Sequence, residues 1–280
     1  MRTLIFYITI FLFLLTTLQA DNNLDKFHIF TVSTHSNSNL EKLKQSCKQN
    51  DIDLDVVGLG LPWHGNGTKL IFALNYLKDF GDDEIVMFVD AFDVLILDNK
   101  KTILDKFLKM ETPLLIAAEL NCYPTDKWLI NNYPPAPTRF KYINTGTYIG
   151  YVKNIKNWLA KLQPIDAKMC DQAMTSYYYV KNKKDRNLFE LDYYCNLFLP
   201  LFNIKEDEVE IDAINRQVYC LITQSSPSVV HANGFSFLIW DKVYEALIAP
   251  YKPENDRKDR RQKPFCILQN NLLKRIKRSS

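Results

Sequence analysis

A Rossmann-like α/β fold, with a mostly parallel sheet flanked by helices, is what this sequence predicts, and three observations carry the prediction. Through the first half of the chain, apolar runs of strand length alternate with segments of helix length. One run, Ile85 to Val89, holds no polar residue, the pattern of a strand covered on both faces. The length of 280 residues, even after a leader is set aside, suits one large domain better than two small ones.

Taken in order, Phe27 to Val32 reads as the first strand, and Ser38 with Glu41 reads as a capping box opening a helix that ends near Asn50. Leu54 to Leu59 reads as the second strand, Lys69 to Phe80 as the second helix and Ile85 to Val89 as the third strand. A helix over Thr102 to Met110 and a strand over Leu114 to Ala118 continue the alternation. Sheets of this kind bind ligands beyond the carboxyl ends of their strands. That rule singles out Thr31 to Thr34, Leu59 to Thr68, Asp90 to Asp93 and Glu119 to Tyr123. Past Glu119 the alternation gives way to Pro-rich loop material around Tyr133-Pro134-Pro135-Ala136-Pro137, an excursion that fits a lid over an acceptor. Then follow YINTGTYIGYV from Tyr142, a helix to about Leu162, a helix over Asp171 to Tyr179 and a short apolar run ending at His231. No internal repeat is present.

The two ends differ from this body. Met1 and Arg2 precede an apolar run from Leu4 to Leu18 closed by Gln19-Ala20, the order of a signal peptide. Fifteen residues make roughly 22 Å of helix, short of the ~30 Å hydrocarbon core, so cleavage is favoured over a membrane anchor. The expected division is residues 1–20 leader, 21–250 a single α/β domain and 251–280 basic tail. Export implies the secretory pathway, either the endoplasmic reticulum lumen or secretion, with no stable membrane span. The six cysteines are an even number, which in an oxidising compartment allows one to three disulfides of unreadable pairing. The net charge of +3 hides an asymmetry, because residues 252–280 carry ten Lys or Arg against three acids and leave the body acidic. An acidic body without a nucleic-acid motif argues against a polynucleotide partner. The basic tail reads as a solvated terminus or a contact for an anionic partner. Oligomeric state is unspecified, and a homo-oligomer is compatible with the chain.

Chemistry concentrates at Asp90 and Asp93, which follow directly on the buried run and so project into the crevice at its end. Acid-x-acid spacings are common, and Asp51, Asp53, Asp55, Asp256 and Asp259 offer others, none placed after such a strand. The competing reading of Asp90 and Asp93 is a strand-end turn that caps a helix near Leu97. His231, one of four histidines, ends a second apolar run before the flexible turn Ala232-Asn233-Gly234. Two carboxylates and an imidazole suit Mn²⁺ or Mg²⁺, which would neutralise charge on a departing diphosphate. A structural, hydrogen-bonded histidine is the competing reading.

These residues belong to a longer pattern: FTVST at Phe30, GLGLPW at Gly58, GNGTK at Gly65, MFVDAFDV at Met87, the AAEL block from Ala117 with Cys122-Tyr123-Pro124, YINTGTYIG at Tyr142, DQ at Asp171 and VVHANG at Val229. In that order and spacing, from about Phe27 to Phe237, the chain resembles the N-terminal glycosyltransferase domain of the multifunctional procollagen lysyl hydroxylases. The resemblance implies a GT-A fold and retaining transfer of glucose from UDP-glucose to galactosyl-hydroxylysine in collagen-like chains. It implies Asp90, Asp93 and His231 as ligands of Mn²⁺ or another divalent metal, and Phe92 as an aromatic that packs on uracil. Thr31 and Trp63 fall where the family contacts the nucleoside, and Lys69 where a cation reaches the diphosphate. Asn233 and Gly234 fall where backbone approaches phosphate. Glu119, Tyr123, Asn144, Asp171 and Gln172 fall near the transferred sugar, with Asp171 and Glu119 the candidate nucleophiles.

Departures accompany the match. A single acid, Asp171, adjoins Gln172 where the family has a run, and Phe235-Ser236-Phe237 supplies no lysine after the turn. With histidines only at 28, 35, 64 and 231 the sequence holds no His-x-Asp iron motif, so hydroxylation is not expected of it. The sequence therefore predicts a metal-dependent UDP-hexosyltransferase acting on a collagen-like or glycoprotein acceptor. A UDP-galactose-using transferase is the alternative enzyme, and a catalytically silent accessory protein that binds UDP-sugar or collagen the alternative of another class. Asn66-Gly67-Thr68 is a formal N-glycosylation sequon, expected to stay largely unoccupied beside the donor loop.

Overall fold

The computed structural model describes residues 24–249, and the leader, the basic tail and Cys266 lie outside them. A six-stranded sheet runs in the order β2-β1-β3-β6-β5-β7. Its strands are β1 Phe27–Val32, β2 Leu54–Val57, β3 Ile85–Val89, β5 Leu114–Glu119, β6 Tyr142–Tyr151 and β7 Glu190–Asp192. β1 pairs in parallel with β2 and β3, and β5 with β7. β6 alone runs against its neighbours β3 and β5. A second sheet, β4-β11-β8, joins β4 Val94–Ile96, β8 Phe198–Pro200 and β11 Val229–His231. A hairpin pairs β9 Val209–Asp212 with β10 Gln217–Cys220.

The alternation of side chains along a strand explains why β3 carries no polar residue. Ile85, Met87 and Val89 enter one core layer with Leu40, Leu43 and Cys47 of helix Ser38–Gln49. Val86 and Phe88 enter the opposite layer with Leu70 and Ala73 of helix Gly67–Tyr76 and Trp158 of helix Val152–Lys161. Both faces are apolar because both are covered. Truncating Met87, which is fully buried, to alanine removes about 2–5 kcal/mol of stability.

Several local expectations shift by a residue or two. Asn37, not Ser38, caps the first helix, its side chain accepting from the amides of Asn39 and Leu40. Leu54–Val57 stops short of Leu59 because Gly58 and Gly60 turn the chain with positive φ. Where a helix near Leu97 competed with function, the chain forms β4 instead, and Leu97 donates its amide to Ser228 O. The Pro-rich excursion contains a short helix, Lys127–Asn132, capped by Asp126. Among the described residues Cys47, Cys122, Cys170, Cys195 and Cys220 are free thiols. Cys47 sits alone in an apolar layer that pushes its thiol up to about 12, and only Cys195 and Cys220 meet. No helix among the described residues is long and apolar enough to cross a membrane.

Candidate active site

The carboxyl end of β3 delivers Asp90, whose amide donates to Gly146 O of β6 at 2.8 Å. Just past Asp93 the chain enters β4, and β4 pairs with β11 so that Val94 stands opposite His231. Ala232 donates its amide to Asp93 O at 2.7 Å. These pairings bring together groups far apart in sequence. His231 Nε2 lies 3.2 Å from Asp93 Oδ2 and 3.8 Å from Asp90 Oδ2. One ligand atom from each of the three lies within 4.8 Å of the others.

Lys69, from the first turn of helix Gly67–Tyr76, adds a cation to the cluster. Its ammonium stands 2.9 Å from Asp90 Oδ1 and 2.9 Å from Asp171 Oδ2. Asp171 opens helix Asp171–Lys181 and also accepts from Thr145 Oγ1 at 2.9 Å. The sequence groups Asp171 with the acceptor-side residues, whereas its contacts tie it to Lys69 and so to Asp90. Burial raises the Asp90 carboxyl to about 6, with Asp93 and Asp171 adding to the shift and Lys69 and His231 opposing it. For Asp93 burial pulls upward, but the adjacent imidazole, with Lys69 and a backbone amide, outweighs it and the carboxyl falls below its ordinary value. Burial likewise lowers Lys69 and His231, and in both the neighbouring carboxylates win and raise the group. The cluster thus holds three carboxylates against two cations.

Gly146 fits this cluster by lacking a side chain. A Cβ built there would lie 2.2 Å from His231 Cε1 and 2.7 Å from Asp90 Oδ2. The two carboxylates, the imidazole and that close backbone approach suit a small divalent cation.

Beside the cluster opens a cleft of about 450 Å³, lined by the β1 end from Val32 to His35, by Trp63, Asn66 and Lys69, and by Asp90 to Asp93. Phe92 faces it, its ring 5.1 Å from that of His35. Trp63 is 44% exposed over the opening. Thr31 lies one step below the wall, fully buried, with a hydroxyl that finds no partner. Asn66 lines the same cleft, while its sequon partner Thr68 is buried and accepts from the His64 amide. Among the decoy acids, Asp55 accepts from Tyr76 OH at the surface, and Asp256 and Asp259 lie outside the described residues.

Glu119 makes a separate cluster. Its carboxylate is 3% exposed and accepts from Gln172 Nε2 at 2.6 Å, Asn144 Nδ2 at 3.2 Å and Asn233 Nδ2 at 2.8 Å. Burial nonetheless prevails over these amides and raises the carboxyl to about 7. Each of Asn144 and Asn233 is locked by its oxygen, which accepts from the Gly146 and Phe202 amides respectively. Gly234 adopts φ 61, and a Cβ there would strike the Phe202 ring, so packing alone requires the glycine. Tyr123 is exposed at the rim. Thr145, Gly146 and His35 escaped the sequence reading. The Thr31–Thr34 strand end pointed toward His35, but nothing local marks Gly146, since its constraint comes from what stands opposite.

A family model described as PLOD GT domain matches residues 23–251. A multifunctional procollagen lysine hydroxylase and glycosyltransferase of Caenorhabditis elegans is 31% identical over 250 residues, which cover 84% of this chain and 34% of that protein. A procollagen-lysine,2-oxoglutarate 5-dioxygenase of Drosophila melanogaster is 29% identical over 242 residues, 80% of this chain and 33% of its own. The chain spans about a third of the length of these relatives. Among solved structures, a glycosyltransferase involved in the glycosylation of the major capsid of PBCV-1 aligns with a TM-score of 0.43 at 12% identity, over 78% of this chain and 98% of that one.

Proposed function

Since the chain belongs to the PLOD GT domain family and is a hexosyltransferase of that type, we propose that it takes a UDP-hexose, UDP-glucose foremost, and glycosylates galactosyl-hydroxylysine in a collagen-like chain. The observation that carries this reading is the meeting of Asp90, Asp93 and His231 at the mouth of a cleft walled by Phe92 and Trp63. Phe92 and Trp63 offer flat faces to a base, and Lys69 stands where a diphosphate would emerge. A divalent ion, Mn²⁺ foremost, held by Asp90, Asp93 and His231 would offset the charge that develops on departing UDP. Lys69 supplies a second positive charge from the protein itself. Asp171, tied to Lys69 by an ion pair, keeps that ammonium over the cleft.

The test is a screen of purified protein with Mn²⁺, UDP-glucose or UDP-galactose, and peptides bearing hydroxylysine or galactosyl-hydroxylysine, with product read by mass spectrometry. Glucose on the galactosyl peptide is the expected result. Galactose on hydroxylysine would replace the donor and acceptor while keeping the UDP-hexose site. No transfer from either donor, with UDP still bound, would replace the enzyme by an accessory binder.

A further inference from the structure

A second cleft opens on the far side of Glu119. It measures about 630 Å³ and is bounded by Asn121 just past β5, by Arg139, Lys141 and Tyr142 before and within β6, and by Asn203 beyond β8. The β5–β6 register places Tyr142 opposite Glu119, and the Lys141 amide donates to Glu119 O at 3.0 Å. The cleft wall is thus fastened to the same residue that the three amides hold.

A line of hydrogen bonds runs from the second cleft through the Glu119 cluster to Gly146, whose amide donates to Asn144 and whose carbonyl accepts from the amide of Asp90 at the first cleft. Gln172 and Asn144 donate to Glu119, and Asn233 donates to its other oxygen. Asn233 accepts from the Phe202 amide at 3.0 Å, Asn121 donates to Phe202 O at 3.2 Å, and Asn203 donates to Asn121 Oδ1 at 2.8 Å. Side chains locked at both ends hold fixed positions, so the second cleft keeps a set geometry toward the ion cluster through Glu119 and Asn144.

The charges of this cleft are unequal in their pairing. Arg139 is bound to Glu208. Among the described residues Lys141 has no carboxylate in ion-pair range, and its ammonium rests only over the Tyr142 ring, 5.4 Å from the centroid. An unpaired cation in an open polar cleft favours an anionic visitor.

On the reading that this chain is a hexosyltransferase, we propose that the second cleft seats the acceptor polypeptide and that Lys141 pairs with a carboxylate flanking its acceptor residue. A polypeptide fits better than a free sugar because the cleft is open and its walls come from three separate loops, which offer contacts along an extended chain.

The experiment uses two collagen-like peptides, each with one galactosyl-hydroxylysine, flanked in one by glutamate and in the other by lysine. Binding to the full chain is read directly by fluorescence anisotropy of the labelled peptides, without donor, so the result does not depend on transfer. Wild type should bind the glutamate peptide about tenfold tighter than the lysine peptide, and Lys141→Glu should reverse the order. Asn203→Ala should weaken both peptides alike. UDP affinity serves as the folding control, because Lys141 and Asn203 lie off the donor cleft. Equal binding of the two peptides by wild type, or an unchanged preference in Lys141→Glu with UDP affinity intact, overturns the proposal. Should no UDP-sugar be consumed by wild type while the charge preference holds, the cleft stands and the catalytic reading falls.

Discussion

The two polar clusters of this protein use opposite materials. Around Asp90 the groups are charged: three carboxylates, an ammonium and an imidazole, several within 4 Å of one another. Around Glu119 a single carboxylate is saturated by three neutral amides. Charges that repel as well as attract gain from an added cation, so the first cluster is suited to exchanging occupants. Two of these amides, Asn144 and Asn233, have oxygens committed to backbone and cannot turn without losing a bond, so the second is suited to holding a shape.

The largest effect should come from breaking the charged cluster. Asp93→Ala and His231→Ala should each lower transfer by about a thousandfold or more, the scale of losing a metal that stabilises a leaving group. Thermal melts should stay near wild type for Asp93→Ala, because relief of its repulsion with Asp90 offsets the lost pairing with His231. Activity that survives dialysis against EDTA would refute the metal reading.

Gly146→Ala comes next. The added Cβ must displace His231 or Asp90, and a displacement near 1 Å lowers rate about a hundredfold. Steady-state kinetics checks it, and wild-type rate in this variant would mean that the cluster tolerates movement.

Glu119→Ala should leave three amide donors unmet, those of Asn144 and Asn233 buried, and destabilise the fold by about 1–3 kcal/mol, measured by urea unfolding. This inverts the pattern of Asp93→Ala, where activity goes and stability stays. Glu119→Gln sharpens the same contrast through pH. Burial raises the carboxyl from its ordinary 4.5 to about 7, so between those values the folded chain keeps a proton that the unfolded chain has released. The contribution of this group to stability therefore falls as pH rises through that window, by at most about 3 kcal/mol. The Gln variant should show a flatter profile from pH 4.5 to 7, and an unchanged slope would remove Glu119 as its source.

The smallest effect is Phe92→Ala, which should weaken UDP binding by about 1–3 kcal/mol, one lost aromatic-base stack. Calorimetry with equal affinity in both proteins would place the base elsewhere.

How much of this was legible in the sequence follows the same division. The parallel half of the sheet announced itself because β1 and β3 are covered on both faces and read as apolar-rich runs, and the end of β3 carries Asp90 and Asp93. His231 was found through resemblance and the short run before it. β4 escaped, since three apolar residues after an acidic turn carry too little periodicity to separate strand from helix. β7 and β8 escaped for the same reason. The link from Asp171 to Lys69 and the need for Gly146 are facts of tertiary contact, with no local signature to read.

The pairing of β4 with β11 has a consequence for biosynthesis. A chain emerging residue by residue displays Asp90 and Asp93 early, yet the imidazole arrives only with Val229–His231, near the end of the described domain. Contacts of such long sequence separation form late. A polypeptide that stops before β11 carries two of the three candidate ligands and none of the strand that aligns them. The cluster is in this sense an assembly check, complete only when nearly the whole domain has been made and has closed on itself.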